Sequence, residues 1–301
     1  MKIVAYNNRV VHPKNKTAFK QMCKDLGFEY LECNNLVEIP EDTDLIWSDT
    51  TTIHPDQVPP KTKLLFGPGF FVFADPRHSL FMFEYANKGA YNCLSDWVIE
   101  LQKEFIQGPR IPFVACPLPV DTTTFSPDTT IQKKTDILFY FKNRHPNIKQ
   151  KILEHFKMLS VSYKVFVYGS YNEKEYIEAL HESKIVVWLG RHESQGFALQ
   201  ECLSMNVPIL LVDVETMFEE TDQETGRQYY TNEIGKYNLK GTAAPYWDDR
   251  CGIKITNVTK ILEILPKMIE NYATFKPREF ILETLSSEAC WARIQKTFHF
   301  E

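Results

Sequence analysis

The chain has 301 residues, 44% of them hydrophobic, and 34 Lys and Arg against 39 Asp and Glu leave a formal charge of −5. That length is generous for one domain and comfortable for two. The mildly acidic balance offers no footprint for a nucleic-acid partner, and no apolar run approaches the roughly 20 residues of an integral membrane segment.

The N-terminus goes from Lys2 directly into Ile3-Val4-Ala5-Tyr6, which reads as a first strand. It lacks the apolar core and small-residue cleavage site of a signal peptide. Further strands are expected at Glu29 to Glu32, Leu45 to Ser48, Lys63 to Phe66, Ala90 to Cys93 and Phe113 to Ala115. Helices are expected at Thr17 to Leu26, Leu80 to Asn87 and Asp96 to Ile106. Short apolar strands alternating with helices predict a mostly parallel sheet. Gly67-Pro68-Gly69 follows a strand and reads as a turn to which a ligand or another domain can come close. From Cys116 to Thr135 the chain turns rich in Pro and Thr without helical period, as a linker does.

Periodicity then resumes. Strands are predicted at Asp136 to Phe141, Tyr163 to Tyr168, Lys184 to Leu189 and Pro208 to Asp213, with helices at Asn147 to Leu159, Glu173 to Glu182 and Gln195 to Met205. Glu215 to Asp249 is long, polar and aperiodic, and a stretch of that kind carries a function or hides an element. A short strand at Gly252 to Ile255, a helix at Val258 to Tyr272 and a helical tail from Pro277 to Phe298 complete the chain. Trp291 in that tail is expected to anchor it between domains. The seven cysteines are scattered and form no CxxC pair, which suggests neither a disulfide framework nor a zinc site and fits a cytoplasmic, reducing location. Cys202, inside a helix, reads as a small buried hydrophobe.

The most informative stretch is His192-Glu193-Ser194-Gln195-Gly196-Phe197-Ala198-Leu199-Gln200-Glu201. It lies between a strand's C-terminal end and the start of the next helix, where open α/β sheets bind ligands. Unbonded amides and the dipole at such a helix start favour a phosphate. Glu193 and Glu201 need a different partner, such as hydroxyls, to which a carboxylate bonds strongly. Eight helical residues would separate them by about 12 Å and slightly over two turns, so both can face one ligand. A nucleotide-sugar has this layout, with hydroxyls at both ends and phosphates between. Carboxylates do not hold a diphosphate, and Lys142 and Arg144, just after the strand at 136–141, are the best candidates for the positive charge.

Glu193 and Glu201, with Gly196-Phe197 between them and Met205-Asn206-Val207-Pro208 after, resemble the E-x7-E signature of retaining glycosyltransferases with two facing Rossmann-like domains (GT-B). The likeness is greatest to the large group-1, family-4 set. Val120-Asp121 with Phe125-Ser126-Pro127 is similar to that family's interdomain Val-Asp-x-x-x-Phe-x-Pro, and Ile137-Leu138-Phe139-Tyr140 to its first donor-domain strand. The resemblance spans roughly residues 116 to 215; the first 115 match in strand order.

The resemblance implies an α/β chain with an acceptor-side domain at 1–118, a donor-binding domain at 119–275 and a C-terminal helix at 276–301 that crosses back to the first domain. It implies Glu193 beside the donor sugar and Glu201 at the ribose, with Gln195, Gly196, Phe197 and Ala198 also in the donor site. Lys142 and Arg144 stand where the family's basic pair is expected, though the lysine comes first and the usual Gly-Arg-Leu is lacking. Lys149 is a second option for the downstream lysine. His54, His78, Gly67 and Gly69 are candidates on the acceptor side, and His192 and Tyr246 are further candidates for lining the cleft. The implied reaction moves a sugar from a UDP- or GDP-sugar to a hydroxyl of a glycan or glycoprotein, with retention and without a metal cofactor. No Asp-x-Asp stands at a strand end, and Asp248-Asp249 is the nearest imitation. A sugar-nucleotide epimerase of the same architecture and a non-catalytic nucleotide- or glycan-binding module are the rival readings. A base-modifying transferase would want a basic groove, and a glycosidase would want two close carboxylates flanking a sugar. The oligomeric state stays open.

Overall fold

The structure, a computed structural model, describes residues 1–7, 10–69, 88–105, 111–229 and 240–300. His78, the aromatics at Phe70, Phe71 and Phe73, and the helix expected over Leu80 to Asn87 lie outside them. The chain divides into two compact units, Met1–Asp121 with Thr284–Glu301, and Thr122–Glu283.

In the first unit β1 (Lys2–Tyr6), β2 (Glu29–Cys33), β3 (Leu45–Ser48), β4 (Lys63–Phe66), β5 (Gly89–Asn92) and β6 (Phe113–Val114) form a six-stranded sheet in the order β2-β1-β3-β4-β5-β6. Every pairing is parallel. β1 from Ile3 to Tyr6 and β3 are buried, which explains the apolar runs Ile3 to Tyr6 and Leu45 to Trp47. Helix α1 (Pro13–Asp25) starts four residues earlier than its periodicity suggests, because Pro13 takes the first helical position, where a missing N–H costs nothing. Its buried Phe19 stacks on Trp47 of β3 with centroids 4.3 Å apart. Helix α2 (Asp96–Phe105) follows β5.

In the second unit β7 (Thr135–Phe141), β8 (Tyr163–Val167), β9 (Ser183–Leu189), β10 (Ile209–Val212) and β11 (Gly252–Ile255) form a sheet in the order β11-β10-β9-β7-β8, again all parallel. The crossovers include α3 (Pro146–Met158), α4 (Glu173–Glu182) and α5 (Phe197–Ser204), and α6 (Ile261–Glu270) follows β11. Alternate residues of the central strands serve opposite faces. Ile137, Phe139, Phe141, Val187 and Leu189 pack with Ile152 and Phe156 of α3 and Ile261 and Leu265 of α6. Tyr140 instead stacks on Trp188, with ring centroids 3.8 Å apart, and Tyr176 of α4 lies beside them.

Both sheets reverse strand order at their first strand: at β1, flanked by β2 and β3, and at β7, flanked by β8 and β9. Beyond the carboxyl ends of the strands at such a reversal the flanking loops diverge and leave a crevice. In the second unit the loops concerned are residues 142–145 after β7 and 190–196 after β9.

One expectation changes in the structure. The helical tail is two helices, α7 (Pro277–Thr284) and α8 (Ser287–Phe298). It breaks where the chain leaves one unit for the other: the carbonyl of buried Leu285 accepts from Val120 N at 3.0 Å, and Ser286 caps α8 by accepting from Ala289 N at 3.2 Å. In α8 the Trp291 ring lies 4.8 Å from Phe28 and 5.9 Å from Phe300, within the first unit. The long aperiodic stretch does hold structure: short 3-10 turns at Met217–Glu219 and Asp249–Cys251, and bridges Thr216↔Lys240 and Thr221↔Gln228.

Trp188 is 1% exposed and fills the space under the β7–β9 seam. Trp188→Ala should lower the stability of the second unit by about 3–5 kcal/mol, read as an earlier midpoint in urea unfolding. A loss under about 1 kcal/mol would mean that the stack contributes little.

Candidate functional site

The sequence-predicted residues of the signature loop gather at the second sheet's reversal point. Lys142 leaves the end of β7 and Glu193 belongs to the loop after β9. Their side chains meet there, Nζ to Oε1 at 2.5 Å, with side-chain exposures of only 10% and 13%. The ring of Tyr168, at the end of β8, lies 4.2 Å from the same ammonium. Lys149, in the first turns of α3, places its ammonium 4.8 Å from the Phe141 ring, beside the same strand end.

Helix α5 begins at Phe197, later than the pattern suggests, so Glu193 precedes it by a full loop. Gly196 sets that start. It has φ 86° and ψ 56°, a left-handed conformation that suits glycine, and a Cβ there would stand 3.4 Å from the Glu193 Cβ. No side chain caps α5, and its first turn carries no acidic residue. The amides of Phe197 and Ala198 therefore open the helix without a side-chain acceptor. Gln195 turns its side chain inward, its Nε2 donating to Gln200 Oε1 at 3.0 Å. Glu201 is buried in the body of α5 at 6% exposure.

Arg144 takes a bracing position. It is 2% exposed; its Nη1 donates to the carbonyls of Gly190 at 3.1 Å and Val212 at 3.3 Å, and its Nη2 to Glu219 Oε2 at 2.7 Å. One guanidinium thus ties the ends of β7, β9 and β10 together. Burial lowers its pKa, with Glu219 and Asp213 opposing. Asp213, after β10, accepts from Thr242 Oγ1 at 2.9 Å and Ala243 N at 2.6 Å, and the Thr242 carbonyl accepts from Glu193 N at 3.0 Å. The aperiodic stretch is therefore stitched to the signature loop. Tyr246 and Trp247, farther along it, are half-buried. Asp248 is engaged by Arg250 at 2.8 Å. Among the described residues no group of three or more His, Cys, Asp or Glu side chains could hold a metal ion, and no helix is long and apolar enough to cross a membrane.

Three residues here escaped sequence reasoning. Arg191 pairs with Glu220, Nη1 to Oε1 at 3.0 Å, just as Arg144 pairs with Glu219. Arg191 is legible in hindsight, because it sits immediately before the signature stretch; Glu219 and Glu220 lie in an aperiodic stretch with nothing to mark them. His192, expected to line an opening, is instead fully buried. Burial, with Arg191 and Lys142 nearby, pushes its pKa down to about 3. The ring is therefore neutral, and its 3.4 Å approach to Glu220 Oε2 is not an ion pair.

In the first unit His54 caps a short 3-10 turn, its Nδ1 accepting from Asp56 N at 3.3 Å. The Gly67 carbonyl accepts from Trp47 Nε1 at 2.9 Å, and Gly69 N donates to Asp49 Oδ1 at 3.3 Å. Buried Asp49, whose pKa burial raises, also accepts from His12 N and Asn15 Nδ2 at 3.3 and 3.2 Å. The turn is thus held against the end of β3.

No family model matches the chain, and no curated protein matches it in sequence. Solved structures do match. AviGT4, a glycosyltransferase involved in avilamycin A biosynthesis, aligns over 99% of this chain and 97% of its own at 10% identity, with a TM-score of 0.60. The fold is GT-B. The lipopolysaccharide outer core galactosyltransferase WaaB shares this GT-B fold over 99% of both chains at 10% identity and a TM-score of 0.53. TarM of S. aureus matches 86% of this chain but 56% of its own length, at 14% identity and a TM-score of 0.52. At these identities the likeness is one of fold, and both Rossmann-like units of the GT-B chain take part in it.

Arg144→Met should cost about 2–4 kcal/mol, because it strips two buried carbonyls of their donor; Glu219, partly solvated, adds little. Unchanged thermal unfolding would show that Arg144 is no brace. His192 yields a pH signature. Unfolded, the ring gains a proton below about pH 6.5; folded, it stays neutral far lower. Over that window the unfolded state binds the extra proton, so stability falls as the pH is lowered, by about 1.4 kcal/mol per unit from this residue. His192→Gln should flatten the stability profile between about pH 4 and 6.5 by that slope. Parallel profiles for the two proteins would contradict a buried neutral ring.

Proposed function

We propose that this chain is a retaining glycosyltransferase that moves a sugar from a nucleoside diphosphate sugar to an acceptor hydroxyl. The observation that carries the reading is the meeting of Lys142 and Glu193 at the reversal point of the second sheet, next to a helix start that no side chain caps. A cation, a carboxylate and unshielded amides at one strand-end crevice match the charges of a sugar diphosphate. The E-x7-E spacing of Glu193 and Glu201 and the GT-B fold support the same conclusion.

On this reading the amides of Gly196, Phe197 and Ala198 take the distal phosphate. Lys142 turns from Glu193 to the diphosphate as negative charge develops on it, lowering the barrier to departure. Glu193, so released, faces the donor sugar near the anomeric carbon, where a carboxylate stabilises the positive charge of an oxocarbenium-like centre. The bond from that carbon to the diphosphate oxygen breaks as the acceptor oxygen bonds to it, and the acceptor's hydroxyl proton passes to the departing diphosphate. Glu201 takes ribose hydroxyls. Arg144 acts on the substrate indirectly, by holding Lys142 and the 190–196 loop in place. The first unit supplies acceptor recognition, and a glycan or glycoprotein hydroxyl is the acceptor.

The deciding assay offers UDP- and GDP-sugars, with and without glycan acceptors, and follows nucleoside diphosphate release. Wild type should transfer sugar or slowly hydrolyse a donor. Glu193→Ala should lose about two to three orders of magnitude in rate, as loss of a transition-state contact does, while still being stabilised against heat by the nucleoside diphosphate. Turnover that survives the substitution would remove Glu193 from the chemistry. A wild type neither stabilised nor active with any UDP or GDP species would remove the donor site altogether.

A further inference from the structure

We propose that Arg191 is the second cation holding the donor's diphosphate, and that Glu220 is the internal anion it exchanges for the substrate. The inference rests on the donor-site reading above.

A diphosphate in a sheltered crevice needs more than one positive partner, and arginine suits it because a guanidinium can offer two parallel N–H groups. Lys142, Arg144 and Arg191 surround the reversal point. Their side-chain exposures are 10%, 2% and 29%. Arg144 cannot turn to a soluble anion without abandoning the Gly190 and Val212 carbonyls. Arg191 is the most accessible of the three. It also lies two residues before Glu193 and five before Gly196, in the same loop that ends on the open helix start.

The partners of these cations point the same way. Each is matched by one carboxylate: Lys142 by Glu193, Arg144 by Glu219 and Arg191 by Glu220. An incoming diphosphate gains any one of these cations where its carboxylate gives it up. Glu220 is the carboxylate least well provided for. It is 5% exposed, yet its Oε2 is buried without a hydrogen bond. The nearest imidazole, His192, is neutral. Its Oε1 is shared between Arg191 at 3.0 Å and Asn143 Nδ2 at a long 3.4 Å. A buried carboxylate with one bare oxygen is a costly arrangement. The Arg191–Glu220 contact is the longest of the three, at 3.0 Å against 2.5 and 2.7 Å, and a phosphate offers the guanidinium more charge and a bidentate edge in its place.

The experiment is titration calorimetry of wild type, R191Q, R191K and E220Q with UDP and GDP, alongside uridine and guanosine at millimolar concentration. R191Q should weaken the tighter of the two diphosphates by about tenfold or more. R191K should weaken it less, and neither should alter nucleoside binding. E220Q, which keeps the shape and removes the competing charge, should tighten the diphosphate several-fold. If R191Q does not fold, E220Q and R191K decide. The proposal is overturned if R191Q binds the diphosphate like wild type, or if E220Q weakens binding, since Glu220 would then be bracing the loop. If neither wild type nor E220Q binds any UDP or GDP, the donor reading itself falls and takes this one with it.

Discussion

Neither Lys142 nor Glu193 has water enough around it to stand alone. Each side chain keeps only about a tenth of its surface, and stripping a full charge of solvent to that degree costs several kcal/mol unless an opposite charge replaces the lost water. The two therefore hold each other, and in doing so they join the end of β7 to the loop after β9. The geometry of everything downstream in that loop, from the left-handed Gly196 to the open start of α5, hangs on where Glu193 is held. The pair is a poor source of stability compared with an apolar contact of the same size. On the donor reading, its value lies in keeping a cation and an anion ready in a place where a polar ligand can take over both partnerships.

The two sheets meet the same problem at their reversal points with opposite charges. In the first unit a carboxylate, Asp49, draws in His12 N, the Asn15 amide and Gly69 N. In the second a guanidinium, Arg144, draws in the carbonyls of Gly190 and Val212. The choice of sign follows from what the neighbouring backbone offers: amides in one case, carbonyls in the other. A buried ion surrounded by fixed backbone dipoles is satisfied without much motion, which leaves loops at a strand end firm rather than loose. A firm loop is what positioning a substrate requires.

Strands were the most legible part of the sequence, because runs such as Ile137 to Phe141 and Ile209 to Val212 are buried on both faces and so are apolar without interruption. Helix starts were less so. Pro13 and the glycine before Phe197 moved α1 and α5 by a few residues, as local backbone preferences do when they compete with periodicity. The tail breaks at Leu285 and Ser286: Ser286, which caps α8, is a local signal for the second helix, whereas the bond from distant Val120 to the Leu285 carbonyl leaves no local mark. The candidate site was legible where motif and strand end coincide, at Lys142 and Glu193. It was illegible where partners come from far along the chain. The sequence does not reveal that Val212 and Glu219 engage Arg144. His192 looked accessible for the same reason.

The acids at Glu219 and Glu220 change what kind of ligand the crevice can select. Had Arg144 and Arg191 stood unbalanced, any phosphate or sulfate would have been drawn in by charge alone. With each cation matched, a small inorganic anion must break an ion pair and can offer Glu193 and Glu201 nothing in return, since it has no hydroxyls to donate to them. A sugar diphosphate brings both kinds of group. On the donor reading its phosphates take the cations while its sugar and ribose hydroxyls satisfy the carboxylates those cations leave behind, so the exchange leaves few buried charges bare. Discrimination of this kind is a difference between affinities, set as much by the unpaired groups a wrong ligand would leave as by the contacts a right one makes.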